Sequence, residues 1–227
     1  MPRALAALSL VVLVAGPGAG HPGASVASPA TGMPAVPAAS TVVQTADAAA
    51  LFDRGVTFED FLASASAQRD RWEANAARAR PAGALVARLR AVSADLRILA
   101  IAEAACSDSV STVPYLAKLA AEAGVPLRIV GRDLGLPIMQ QHRTPDDRPA
   151  TPTIVLLRGA AVAGVWVERP SALQDWFLGP AGQALSPQER VSRKMSWYDW
   201  DRGDSTVAEI VALAETPGAG AAPAGGR

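Results

Sequence analysis

The chain is poor in the residues that usually mark a site. Its 227 residues include one cysteine, Cys106, and two histidines, His21 and His142. A lone thiol can form no internal disulfide, so any disulfide it makes is with another molecule. One cysteine with two histidines also falls short of the four-ligand set of a structural zinc site, and these residues call for no metal and no cofactor. Charge of one sign is missing too: 21 basic side chains balance 21 acidic ones, which removes the footprint of a nucleic-acid binder. There is no Gly-rich phosphate loop and no internal repeat. Past the N-terminus, no apolar run reaches the roughly 18 residues that a membrane helix needs.

What is present first is an N-terminal targeting pattern. Arg3 precedes an apolar stretch from Ala4 to Ala15, followed by Gly16, Gly18, Ala19 and Gly20. Charge, apolar length and small residues together predict a secretory signal peptide over residues 1–20, hence export to the periplasm or beyond, with no membrane attachment after cleavage. Later cuts near Ala27 or Ala30 fit as well, and a frayed tail or short anchor is the competing reading. No cysteine follows the apolar stretch, so lipid attachment to a cysteine there is excluded. Residues 21–48, rich in Ala, Pro, Ser and Gly, read as a disordered linker, residues 49–215 as the folded domain, and 216–227 as a disordered tail.

Within the domain, Thr57 reads as the N-cap of a helix carrying Phe58, Phe61, Leu62 and, further on, Trp72, and Gly83 to Ser93 as another helix. Leu96 to Ala102 reads as a buried strand. The segment from Cys106 to Ala123 has helical spacing, with Pro114 expected to kink it and Gly124 to stop it. Val125 to Val130 is a second strand and Leu134 to His142 a short helix. Strands at Thr153 to Leu157 and Val162 to Val167 flank a turn at Arg158 to Ala161. An amphipathic helix with Leu173, Trp176 and Phe177 follows. A connection holds Trp197, Tyr198 and Trp200, an aromatic cluster read as a flap over the domain edge or a partner surface. The last helix runs from Ser205 to Glu215.

Chemistry concentrates at Cys106, which opens its helix in the sequence Cys106-Ser107-Asp108-Ser109. Unpaired backbone N–H groups at a helix N-terminus favour thiolate over thiol and so make the sulfur a better nucleophile. Ser109 stands where a redox dithiol would carry its second sulfur. Its hydroxyl could donate to a Cys106 thiolate, although Ser109 and Ser111 are also ordinary first-turn residues. Asp108 suits a helix's first turn, yet with Glu103 it opposes a negative sulfur nearby.

The helix-opening Cys106, Pro114 eight residues on, the Thr151-Pro152 pair and the two adjacent strands after it together resemble the thioredoxin superfamily. More narrowly, the chain resembles a bacterial branch whose site reads Trp-Cys-Gly-Asp-Cys. Arg132-Asp133, Trp166 and Arg169-Pro170 fit that branch's pattern. The resemblance implies an α/β, thioredoxin-like fold: a central mixed β-sheet of about four strands flanked by helices, with N- and C-terminal helical extensions. It implies that Cys106 is the attacking residue and that Pro152 is cis, although from the residues alone a trans proline opening an edge strand is the other reading. It implies also that Thr151 offers backbone hydrogen bonds to an extended substrate. Against that pattern the site is degenerate, a Cys-x-x-Ser, and Ala100 stands where thioredoxins often bury a carboxylate. A papain-like pairing of Cys106 with His142 does not suit the implied fold.

Two functions remain. One is monothiol thiol–disulfide exchange, in which Cys106 forms mixed disulfides with a cysteine-containing protein or a small thiol such as glutathione. Without a second sulfur, an outside thiol must finish the cycle. The other is a catalytically inactive thioredoxin-fold binding or scaffold module, with Cys106 packed and inert.

Overall fold

The computed structural model describes residues 40–216 of the chain, so the expected signal peptide, most of the linker and the tail beyond Thr216 lie outside the described residues. In chain order the elements are α1 (Ser40–Arg54), α2 (Phe58–Ser64), α3 (Arg69–Arg78), α4 (Gly83–Ala91), β1 (Leu96–Ile101) and α5 (Ser107–Ala123). They continue with β2 (Leu127–Val130), α6 (Arg132–Gln141), β3 (Thr153–Arg158), β4 (Ala161–Val167), α7 (Ser171–Leu178), α8 (Pro180–Gln183), α9 (Pro187–Asp201) and α10 (Asp204–Glu215).

Strands β1 and β3 are mostly apolar because both of their faces are covered, with Arg97, Thr153 and Arg158 the polar exceptions. Side chains alternate along a strand. Leu96, Ile98 and Ala100 of β1, with Ile154 and Leu156 of β3, therefore enter one core, and Leu99, Ile101, Val155 and Leu157 enter a second on the opposite face. The larger core is closed by residues of α3, α4, α5 and α10, and the smaller one by Ala48, Leu51 and Phe52 of α1 and Ile138 and Met139 of α6. The sheet order is β2-β1-β3-β4; β1 runs parallel to β2 and antiparallel to β3, and β4 is antiparallel to β3. The β2 edge is partly covered where Val56 exchanges backbone hydrogen bonds with Ile129 at 2.9 and 2.8 Å.

This is the expected four-stranded mixed sheet with helices on both faces and helical extensions at either end. Three local readings need correction. The linker expected to reach residue 48 gives way to helix at Ser40, because residues 40–54 contain neither proline nor glycine and Ala48, Leu51 and Phe52 share one buried face. The helix expected to run from Thr57 past Trp72 is two helices: Thr57 does cap α2, its hydroxyl accepting from Asp60 N at 3.1 Å, but the chain turns at Gln68, in a left-handed conformation, before α3. Trp197, Tyr198 and Trp200 do not form a connection. They belong to the last turns of α9, which starts at a capping box between Ser186 and Glu189.

Candidate active site

Cys106 is the N-cap of α5, which starts just past the end of β1. Its Sγ accepts the Ser109 backbone N–H at 3.4 Å and, as a thiol, donates to the Thr151 carbonyl oxygen at 3.2 Å. The residue is partly exposed. Thr151 is buried, its peptide bond to Pro152 is cis, and its hydroxyl donates to Glu103 Oε2 at 3.4 Å. Two segments distant in sequence, the β1–α5 loop running into the first turn of α5 and the residues leading into β3, therefore meet at the sulfur.

Ser109 is fully buried, and its hydroxyl accepts the Glu103 backbone N–H at 3.4 Å. The contact with the sulfur expected of that hydroxyl is made instead by the Ser109 backbone N–H, the kind of orphan donor that a helix start offers. Pro114 lies within α5, about two turns beyond Cys106, and the helix continues through it to Ala123. It lines a surface cavity with Thr57, Ala117 and Leu127, away from the thiol. His142 caps the end of α6, and burial holds its pKa below the ordinary 6.5.

The N-terminal extension backs the loop before the cysteine. Gln68 Nε2 donates to the carbonyls of Ala105 and Ala104 at 2.7 and 3.3 Å, and Trp72 Nε1 donates to Ala104 O at 3.0 Å. On the outer side of this loop opens a cleft of about 510 Å³, lined by Phe61, Ser66, Glu103, Ala105, Arg132 and Leu134. Glu103 lies at the exposed end of β1, as expected, where Arg132 Nε stands 3.8 Å from its carboxylate.

Asp108 is an acid in the first turn of α5, as expected, and it also has partners from other elements. It is buried, Lys194 Nζ donates to its Oδ2 at 2.6 Å and to Ser107 Oγ at 2.9 Å, and the Tyr198 hydroxyl donates to its Oδ1 at 2.8 Å. Arg169 Nε stands 3.6 Å from the same carboxylate, while Arg169 Nη2 meets Glu168 Oε1 at 2.5 Å. Glu168 in turn receives both of its 3.2 Å hydrogen bonds from Arg148. Burial, reinforced by the Asp108 charge, holds the Tyr198 phenol well above its usual range, so it stays a donor. Lys194 and Tyr198 were not anticipated as site residues. Their four-residue spacing places them on one helical face, but nothing local shows that the face is buried against α5.

A cysteine capping the helix after the first strand, beside a cis-proline at the head of an antiparallel strand, defines a thioredoxin-like α/β site. A family model described as thioredoxin matches residues 55–188, and the chain belongs to that family. Among solved structures, it is similar to the crystal structure of an HIV epitope-scaffold, with a TM-score of 0.58 and 20% identity over 77% of this chain and 98% of that one. It is also similar to PA1234, a protein of unknown function from Pseudomonas aeruginosa, with a TM-score of 0.56 and 21% identity over 74% of this chain and 96% of that one. At such identities the two structures show the shared fold. No curated protein matches the chain.

Proposed function

We propose that the protein is an exported monothiol exchange protein acting through Cys106. The observation that carries this reading is the placement of a partly exposed sulfur that accepts an N–H at the start of α5 and lies 3.2 Å from the carbonyl before the cis-proline. As a thiolate, Cys106 attacks one sulfur of a substrate disulfide; that S–S bond breaks, the other sulfur leaves as a thiolate, and a mixed disulfide with Cys106 forms. Ser109 cannot expel the captured group, because a hydroxyl lacks the nucleophilicity and redox chemistry of a thiolate. A second thiol from outside, on a protein or a small molecule such as glutathione, attacks the mixed disulfide and carries the captured group away as a new disulfide. Cys106 is thereby returned as a thiolate with no net change in oxidation state. Thr151 and Pro152 form the edge along which an extended partner would lie. The N-terminal pattern from Arg3 to Gly20 supports export, to the periplasm or outside the cell.

The test is alkylation of Cys106 in the native and unfolded protein, together with trapping by a peptide disulfide read by mass spectrometry. Fast native labelling and a persistent one-to-one adduct are expected. Labelling only after denaturation would replace this reading with the inert binding module, in which Cys106 is packed and unreactive.

A further inference from the structure

An acid two residues from the attacking sulfur is a poor choice for a nucleophile, since a like charge nearby disfavours the thiolate. In this protein the acid is not left free. Asp108, Lys194, Tyr198 and Arg169 are all buried, and the last three converge on the carboxylate of the first. The two cations are not equivalent. Arg169 is shared with Glu168, its guanidinium lying 2.5 Å from that carboxylate and over the Phe177 ring at 4.1 Å. Lys194, among the described residues, pairs with Asp108 alone and also holds Ser107, the residue directly after the cysteine. It comes from α9, beyond the segment 55–188 that matches the family, so this contact belongs to the C-terminal extension of this chain.

We propose that Lys194 is a positioning residue for Cys106: it neutralises Asp108 and fixes the first turn of α5, leaving the helix N-terminus rather than an acid to set the field at the sulfur. This rests on the exchange reading of the site. Among the described residues, the neighbouring charges include Glu103 with Arg132 and Asp133 along the cleft beside the β1–α5 loop, and Glu168, held by both Arg148 and Arg169. Glu103 and Glu168 keep their cations whatever stands at residue 194, whereas Asp108, two residues from the sulfur, would lose its closest one with Lys194.

The test is the rate of iodoacetamide labelling of the native full chain, near neutral pH and again at alkaline pH where the thiol is ionised in every variant. Lys194→Met is expected to slow labelling near neutral pH by about tenfold, with the gap closing at alkaline pH. Lys194→Arg should keep most of the rate, and Asp108→Asn combined with Lys194→Met should regain it, because both charges are gone. A single Lys194→Met variant that labels like the wild type, or a folded double variant that stays slow, overturns the proposal. If Lys194→Met does not fold, Asp108→Asn carries the test: it should label faster than the wild type, and an unchanged rate overturns the proposal. A wild-type thiol inert until denaturation overturns this proposal and the exchange reading together, whereas a reactive wild type with charge-indifferent variants overturns this proposal alone.

Discussion

The indole N–H of Trp72 donates to the carbonyl of Ala104 across 3.0 Å, joining the N-terminal helices to the loop that precedes Cys106. Trp72 is fully buried, with the Phe61 ring edge-on at 5.1 Å. Trp72→Phe should cost about 1–3 kcal/mol, since it removes the donor and part of the packing but leaves an aromatic ring. Trp72→Ala should cost about 3–5 kcal/mol. Urea unfolding followed by circular dichroism measures both, and equal costs for the two would mean that the hydrogen bond, rather than the packing, dominates.

The Lys194–Asp108 pair predicts an asymmetry in stability. Removing one partner by Lys194→Met leaves a buried carboxylate without its closest cation and should cost about 3–5 kcal/mol. Removing both charges by Asp108→Asn with Lys194→Met should recover much of that loss, because no unpaired buried charge remains. Denaturant midpoints of the wild type, Lys194→Met, Asp108→Asn and the double variant decide the matter, and additive losses would show that the two side chains do not act as a pair.

Ser109→Cys tests the lineage of the site. Residue 109 is buried within the same helical turn as Cys106, and its backbone N–H already points at that sulfur. A second thiol there supplies the resolving group that the hydroxyl cannot, so disulfide reductase activity should rise above the wild-type background. Turnover of a small disulfide by the folded variant, coupled to an external reductant, is the readout. Activity no higher than the wild type's would count against a redox ancestry.

His142 makes stability depend on pH. Burial lowers its pKa in the folded protein below the ordinary 6.5, so the unfolded chain binds more protons in the window beneath that value. Stability from this residue is therefore present above about pH 6.5, is lost as pH falls toward the lowered folded value, and changes no further below it. Thermal midpoints from about pH 7 to about pH 5 should fall in the wild type and fall less in His142→Gln. Identical slopes would assign the acid sensitivity to another group.

The fold was legible wherever burial is written along the chain. Largely apolar runs marked β1 and β3, which are covered on both faces, and Thr57 and Gly124 marked helix ends through capping and a left-handed turn. The start of α1 was obscured because alanine-rich sequence reads as linker until the larger side chains Leu51 and Phe52 show a buried face. The resemblance to the thioredoxin superfamily implied that Cys106 and Thr151-Pro152 lie together, and the sulfur does lie 3.2 Å from the Thr151 carbonyl. The partners of Asp108 were not legible. Lys194 lies 86 residues and Tyr198 90 residues away in sequence, and which face of α9 turns inward is decided by packing.

The last helix carries a practical consequence. α10 supplies Val207, Ile210, Val211 and Ala214 to the larger core, and Arg88 of α4 grips Glu215 near its end at 2.8 and 2.6 Å. A truncation made at residue 188 would strip away a wall of the hydrophobic interior along with Lys194, leaving an adhesive surface prone to clumping. Shortened versions intended for crystallisation or fusion should therefore be cut after Thr216.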